Sequence, residues 1–546
     1  MKKILTFVLA AAIAVSAGAL AGCKPKISND ENTLEIYFLN AGYGDQFVAD
    51  LAAAFEAEHE GVNVEYWGDD LDQTAALLQS GTTNTVDLFI IGGDMDSYAM
   101  AGANVHPDYD IILENIDEVM EYEENGVMLK DKFIRDAVPQ EIDGHYYSFS
   151  WAVGATGLIY NASKFEILAQ DNPNIAVPNT TDELVQLCED IKAAGEIPFV
   201  FSVSTNYWEY MTRLWYMQYE GAENVKNFFL GIDNGAYSRD IFLQQGRLES
   251  LEALNSLIRH ELGNNHDNVN LMNFAQSQAQ FISGNGLMMV NGDWLENEMR
   301  NVANEDENKF EFRMMKTPVV SALSEKLSYW KEGKTFAEAT KTMPAETRKE
   351  YDEKLSAIID YVDAGEPEGE KPSFATEDDV LIVRNARNVG YTIGGLCSAN
   401  HTVGIPVYAT AKDLAKEFLK FMLSDEGYRI YFDATTGNQL PIKYDLQNDT
   451  ERWGSMSAFA KSRYEVTIAN PEYENLITTY GTTPLTTLGG LTLWVGDGQY
   501  AEEFFATKDE KHYKTPYELY RSEYEDEWTV EKFNLMLKNS GIDPTN

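Results

Sequence analysis

The chain has 546 residues, of which 44% are hydrophobic and 12% are aromatic, and its formal net charge at pH 7 is −46. This apolar content is sufficient for well-packed cores and excludes an intrinsically disordered chain, while the length predicts two lobes of unequal size. Because so acidic a surface repels nucleic acid and anionic lipid headgroups, we expect neither of them as a binding partner.

The chain begins with a segment typical of an export signal. Lys2 and Lys3 precede an apolar run over residues 4–20, and small residues lead from that run into Cys23. The residues Leu-Ala-Gly-Cys at positions 20–23 resemble the bacterial lipobox, whose cysteine receives a diacylglycerol and becomes the mature N-terminus. A retained transmembrane anchor is the alternative, although the apolar run is short for one.

We therefore predict a lipoprotein signal peptide over residues 1–22 and a lipid on Cys23. Residues 23–32 are polar and predict a flexible tether. The lipid would hold the protein outside the cytoplasm, on the outer face of the cell membrane.

Two further cysteines remain. Cys188 shares one helical face with Leu184, Leu187 and Ile191, which predicts a buried, small apolar side chain. Cys397 has no recognisable nucleophile context, and the sequence leaves open whether it pairs with Cys188.

Strands and helices alternate after the tether, which implies crossover connections and a mostly parallel sheet. In such sheets, ligands bind beyond the carboxyl ends of the strands, here at residues 40–43 and 92–94. The predicted elements are strands over residues 34–39, 62–66 and 86–91 and helices over residues 45–59 and 73–79.

The alternation restarts after residues 144–157, so we predict an α/β fold of two lobes joined by crossing strands. The second set consists of strands over residues 158–160 and 197–201 and helices over residues 181–194, 207–219 and 248–261.

The segment from Phe281 to Trp294 carries a recognisable pattern. Its order is a helix ending in Phe-x-x-Gly, a strand with methionines, and then Asn-Gly-Asp-Trp at positions 291–294. This order resembles extracellular solute-binding protein family 1, the maltose-binding-protein type. Gly284 would end the helix, and Trp294 would emerge just after a crossing strand, where an indole face can stack on a sugar ring.

Further segments match the same family in the same order, over residues 143–165, 178–198, 404–426 and 437–441. Thr181 stands where the family usually has a tryptophan. Two stretches depart from the pattern, a charged insertion over residues 321–372 and about a hundred residues from 447 onward, and the resemblance says nothing about either.

The resemblance implies a two-lobed, periplasmic-binding-protein-like fold with an interlobe hinge and a ligand cleft. It implies the receptor of an ABC importer, which binds a sugar or oligosaccharide as a monomer and delivers it to permease subunits, without cofactor, metal or catalytic residue. We assign residues 33–150 and 286–390, with the insertion 321–372, to the N-terminal lobe. The C-terminal lobe then comprises residues 151–285 and 391–546, with the extra tail from about 447.

A sugar site needs flat aromatic faces together with side chains that share hydrogen bonds with hydroxyl groups. Each candidate also has a purely structural interpretation, since an aromatic side chain can belong to the core and Asp94 can cap the helix that follows it. Carried over by position, the expected ligand-binding residues are Asn40, Tyr43, Asp94, Trp151, Tyr207, Trp208, Asp293 and Trp294.

No enzyme motif stands out. The sequence lacks Gly-x-Ser-x-Gly, His-Glu-x-x-His, a phosphate-binding loop and Cys-x-x-Cys. With 88 acidic residues, carboxylate pairs must occur, so a surface glycosidase stays open as a second function. The sequence also leaves open a receptor for a peptide, polyamine or other cation, and a structural or adhesive lipoprotein.

Overall fold

Two β-sheets organise the protein. The computed structural model describes residues 30–39, 42–69, 72–134, 137–152, 154–205, 207–303, 310–389, 401–467, 514–539 and 541–544. The predicted signal peptide, Cys23, Asn40, Cys397 and much of the tail after residue 447 lie outside this range.

The first sheet has the strand order β2-β1-β3-β12-β6. The strands β1, β2 and β3 run parallel, as the alternation of strands and helices predicts, while β12 lies antiparallel to both of its neighbours. These strands are β1 (Thr33–Leu39), β2 (Asn63–Asp69), β3 (Leu88–Ile90), β6 (Ser148–Ser150) and β12 (Thr402–Gly404).

The second sheet is antiparallel throughout, which the prediction of mostly parallel pairing missed. Its centre is β7 (Thr156–Asn161), flanked by β10 (Met288–Gly292) and β11 (Phe312–Met314). The strand expected over residues 197–201 forms only isolated bridges, from Phe199 to Asn265 and Met288. Two small hairpins complete the strands, β4 (Glu123–Glu124) with β5 (Val127–Met128) and β8 (Ile232–Asp233) with β9 (Ala236–Tyr237).

Helices surround both sheets. Those before β10 are α1 (Gln46–Glu58), α2 (Thr74–Ser80), α3 (Met95–Ala101), α4 (Asp117–Met120), α5 (Leu129–Lys132), α6 (Ala162–Leu168), α7 (Thr181–Ala193), α8 (Trp208–Glu220), α9 (Ala222–Leu230), α10 (Gln245–Ile258) and α11 (Phe274–Ile282). Those after β10 are α12 (Leu295–Ala303), α13 (Phe336–Ala339), α14 (Ala345–Asp363), α15 (Glu377–Asn388), α16 (Lys412–Met422), α17 (Asp425–Ala434), α18 (Thr450–Ser455), α19 (Ala458–Val466), α20 (Pro516–Ser522) and α21 (Val530–Asn539).

The helix α7 shows how local sequence sets these elements. The hydroxyl of Thr180 accepts a hydrogen bond from the backbone N–H of Glu183 at 3.1 Å, which caps the helix N-terminus. Leu184, Cys188 and Ile191 then recur at helical spacing and are fully buried. Cys188 is thus the small core residue that the sequence predicts, and burial raises the pKa of its thiol.

The two sheets have separate hydrophobic cores, and these cores correct the predicted division of the chain. The sequence predicts residues 286–390 in the lobe of residues 33–150 and residues 401–446 in the other lobe, and both predictions are wrong. β10 pairs with β7 in the second sheet, while β12 pairs with β3 and β6 in the first. Residues 154–389 therefore build the second lobe, and residues 401–446 complete the first.

The insertion over residues 321–372 belongs to the second lobe for the same reason. In α14, Asp352 accepts a buried hydrogen bond from the Thr180 hydroxyl at 2.8 Å, and Arg348 forms a paired contact with Asp182. These bonds fasten the insertion to the start of α7. The C-terminal helices lie on the same lobe, where Trp528 stacks on Phe242 with ring centroids 3.6 Å apart.

Candidate functional site

The lobes meet where β10 ends. The strand consists of buried residues, and its last residue, Gly292, leads directly into Asp293 and Trp294. The backbone N–H of Asp293 donates to the carbonyl of Ala155 at 3.0 Å, which ties this turn to the crossing segment between the lobes. The predicted pair therefore lies at the junction.

The Asp293 carboxylate is buried between the lobes, with 2% of the residue exposed. The Tyr43 hydroxyl, from the first lobe, donates to Oδ1 at 3.2 Å, and Arg463 Nη1 donates to Oδ2 at 3.0 Å. Burial raises the pKa of Asp293 to about 6, and the Arg463 charge and the Tyr43 hydrogen bond oppose that rise. Both carboxylate oxygens thus have partners inside the protein.

Trp294 and two tyrosines form what we call the aromatic corner (Tyr207, Tyr210 and Trp294). The Tyr207 ring meets the Trp294 indole edge to face at 5.9 Å, and it stacks on Tyr210 at 5.4 Å. Both tyrosines, which flank the start of α8, are only partly buried, while Trp294 is 9% exposed. Flat ring faces that keep some exposure at a junction suit the apolar faces of a sugar.

Gly292 makes room for the indole, and Gly42 lies at ordinary contact distance from the same side chain. A Cβ atom at Gly292 would lie 2.0 Å from Cζ3 of Trp294, and one at Gly42, on the first lobe, would lie 3.5 Å from Trp294 Cβ. The Asn-Gly-Asp-Trp pattern therefore needs its glycine because the indole folds back over it.

Polar side chains lie next to the aromatic corner on the first turn of α12 and on α11. Asn297 Nδ2 donates to the Gly42 carbonyl at 2.8 Å, and Gln278 Nε2 donates to Glu298 at 2.8 Å. Asn297 Oδ1 and Gln278 Oε1 have no hydrogen-bond partner within the described part of the chain. The sequence analysis missed these residues, although the spacing of positions 294, 297 and 298 places them on one helical face.

The structure places the other two predicted tryptophans inside the cores. Trp151 is 2% exposed, donates its Nε1 proton to the Ile91 carbonyl at 2.8 Å and stacks on Phe47. Trp208 is 1% exposed and packs edge-on against Phe199. Neither indole offers a free face to a ligand, so we leave both out of the proposed binding surface.

Asp94 lies at the carboxyl end of β3, on the first lobe, as predicted. Its carboxylate accepts from the Asp96 N–H at 2.9 Å and caps α3, the structural role that the sequence left open. Asp94 stays partly exposed, and burial raises its pKa. Capping engages one oxygen through the backbone, and a second contact comes from the Ser97 hydroxyl.

Beside this cap, Asp96 is 2% exposed, and the buried Ser148 hydroxyl is the polar group next to its carboxylate. Burial raises the pKa of Asp96 to about 7, against an ordinary value of 3.8. The folded protein therefore binds a proton on the Asp96 carboxyl more tightly than the unfolded chain does. The contribution of this protonated carboxyl to the free energy of unfolding is present at low pH and is lost as pH rises from about 4 to about 7.

We expect Asp96→Asn to flatten this dependence, because the amide stays neutral at every pH. Between about pH 5 and about pH 8, the fall in Tm should be smaller by roughly 2–4 °C than in the wild-type protein. Thermal melts at both pH values measure it. Asp378→Asn, at an exposed position in the first turn of α15, is the matched control. An identical pH dependence in Asp96→Asn and the wild-type protein would contradict the assignment.

Metal-binding clusters and membrane-spanning helices are both absent from the described residues. No group of three or more histidine, cysteine, aspartate or glutamate side chains within them has the arrangement needed to hold a metal ion. No helix among them is both long and apolar enough to cross a membrane.

Two α/β lobes, with an aromatic corner and amide groups at their junction, define the class of hinged, two-lobed solute-binding proteins. The sequence agrees with this class. Residues 40–324 match the model of the bacterial extracellular solute-binding proteins, and the chain belongs to that family.

Individual relatives are more distant. Over 158 residues the chain is 28% identical to the multiple sugar-binding protein of Streptococcus mutans serotype c (strain ATCC 700610 / UA159), a match that covers 28% of this chain and 35% of that protein. The chain thus spans about a third of the length of this curated relative.

Solved structures share the fold. A protein from work on xylan utilization by the thermophilic bacterium Caldanaerobius polysaccharolyticus superposes with a TM-score of 0.54 at 14% identity, covering 91% of this chain and 100% of that one. A chitin oligosaccharide binding protein superposes with a TM-score of 0.53 at 14% identity, covering 93% and 99%. These likenesses establish the two-lobed architecture.

Proposed function

We propose that the protein is the receptor of an ABC importer and captures a sugar or oligosaccharide between its lobes. The observation that carries this proposal is the aromatic corner at the junction, with amide and carboxylate groups beside it. The names of the relatives, a multiple sugar-binding protein and a chitin oligosaccharide binding protein, support the same ligand class.

The ligand would be held from both sides. On the second lobe, the aromatic corner stacks on ring C–H groups, and the partly exposed Glu298 shares hydrogen bonds with hydroxyl groups. Gln278 and Asn297 are buried and support the site from behind, through Glu298 and the Gly42 carbonyl respectively. On the first lobe, the partly exposed Asp94, which follows the carboxyl end of β3, would supply the opposing contact. A ligand that bridges the lobes stabilises their closed arrangement, which then docks on the permease, and no covalent step is needed.

Calorimetric titration with xylotetraose, chitotetraose, maltotriose, spermidine and a mixed tetrapeptide tests the ligand class. We expect saturable binding of an oligosaccharide, and chromatography should recover that sugar intact after prolonged incubation. If only spermidine or only the peptide saturated the protein, its ligand would be that class of solute and not a sugar. Shortened sugar products would show that the protein is a glycosidase instead of a receptor.

The lipid on Cys23 is part of the proposal and rests on the residues of the signal. Cys23→Ala removes the thiol that would carry the diacylglycerol, so the protein should leave the membrane fraction almost completely. Fractionation followed by immunoblotting measures this, with Cys397→Ala as the control. If Cys23→Ala stayed fully in the membrane fraction, residues 4–20 would be a retained anchor instead.

A further inference from the structure

Arg463 reaches the lobe junction from a part of the chain that lies beyond the family match. It belongs to α19, and 4% of the residue is exposed. Its guanidinium donates to Asp293 of the second lobe at 3.0 Å, and also to the Asn438 side chain and the Gly437 carbonyl. The last two follow α17 in the first lobe, so one side chain bonds both lobes.

The helix that carries Arg463 is itself fixed at the junction. The Ser462 hydroxyl accepts from the Met314 N–H of β11 at 2.9 Å, and the Phe459 ring lies 5.0 Å from that of Phe312. On its other side, Ala460 belongs to the core of the first lobe. Arg463 therefore lies on a helix that packs against both lobes, and its charge is at their junction.

The charge balance at this point is local. The Asp293 side chain is fully buried and that of Arg463 is 5% exposed, so each needs the other to offset the loss of hydration. Tyr43 adds a hydrogen bond to Asp293 from the first lobe. Removing the Arg463 charge would leave a buried carboxylate whose partners, the Tyr43 hydroxyl and the Ala155 backbone, are neutral, which favours any arrangement that lets water reach it.

We propose that Arg463 and Asp293 form an interlobe lock that sets the balance between the open and closed arrangements, and thereby sugar affinity, without touching the sugar. The proposal rests on the proposed function. The arrangement that contains this ion pair also joins Asn297, beside the aromatic corner, to the Gly42 carbonyl of the first lobe at 2.8 Å, so we take it as the binding-competent one. Because affinity is scaled by the fraction of molecules in that arrangement, weakening the lock raises Kd even when every sugar contact is intact. Arg463 is thus a positioning residue, and α19, which lies after residue 447, takes part in setting sugar affinity.

The test measures the lobes without any ligand. In the full-length chain with Cys397→Ser, nitroxide labels are placed at Met100→Cys on α3 of the first lobe and Leu271→Cys on the second, where the native side chains are 59% and 77% exposed. Double electron–electron resonance gives the distribution of distances between the two labels. For Arg463→Gln and for Asp293→Asn, we expect a second, distinct population absent from the wild-type distribution.

The double variant Asp293→Asn with Arg463→Gln separates the lock from simple packing. Its amides can hydrogen-bond to each other and leave no buried charge, so the distribution should return toward that of the wild-type protein. Arg521→Gln, a partly exposed ion-pair residue on α20, is the control. Wild-type distances in both single variants would overturn the lock, as would a double variant no closer to wild type than the singles.

Affinity supplies the second arm. With whichever of xylotetraose, chitotetraose and maltotriose saturates the wild-type protein, Kd should rise roughly five- to fiftyfold in Arg463→Gln and recover in the double variant. An unchanged Kd in Arg463→Gln would contradict the proposed effect on affinity. If none of the three oligosaccharides saturates the wild-type protein, the ligand class fails, while the distances between the labels still test the lock.

Discussion

Replacing Trp294 with alanine is expected to weaken binding of the sugar by at least roughly tenfold, since loss of one aromatic contact with a ligand costs on the order of 1–3 kcal/mol. Trp294 adjoins Tyr207 and follows β10 at the lobe junction, so its removal opens the aromatic corner. Calorimetric titration of the variant with the oligosaccharide that binds the wild-type protein measures this loss.

The control separates binding from packing. Trp330→Ala truncates a partly buried tryptophan in the insertion, on the second lobe, and should leave Kd unchanged. Trp208→Ala should instead lower the Tm of the ligand-free protein strongly, because truncating a fully buried tryptophan costs about 3–5 kcal/mol. If Trp294→Ala kept wild-type affinity and lost stability as Trp208→Ala does, Trp294 would be a core residue.

Gly292→Ala should weaken sugar binding by about tenfold as well, without removing any group that touches the sugar. The new Cβ would lie within 2.4 Å of three indole atoms of Trp294, so the ring must leave its position. Titration measures Kd, and circular dichroism establishes that the variant is folded.

A second alanine variant serves as the reference for Gly292→Ala. At Gly454, in α18, an added Cβ meets no atom within 4 Å, and Gly454→Ala should bind as the wild-type protein does. Equal Kd values for the two glycine variants would show that the position of the indole does not matter for binding.

The local elements of the first lobe could be predicted from the sequence because each follows from a short hydrophobic pattern. The strand expected over residues 34–39 is Thr33–Leu39, and in the second lobe the helix expected over 181–194 is Thr181–Ala193. The division into lobes could not be predicted in this way. The division depends on the pairing of β10 with β7 and of β12 with β3. These pairings bring together residues that no local pattern connects.

The same distinction holds for the site. The motif at residues 291–294 correctly pointed to the lobe junction, since a strand end followed by Asn-Gly-Asp-Trp carries its own geometry. Tyr207 is partly exposed while its neighbour Trp208 is buried, and no sequence pattern indicates this difference. The role of Arg463 at the junction could not be predicted from the sequence because its partner Asp293 is 170 positions away.

The proposal that a sugar draws the two lobes together is tested most directly by small-angle X-ray scattering of the full-length protein. The radius of gyration should fall when the oligosaccharide identified by titration is added to saturation, because the ligand bridges both lobes and favours their closed arrangement. An unchanged radius at a concentration where calorimetry shows full occupancy would contradict capture by closure.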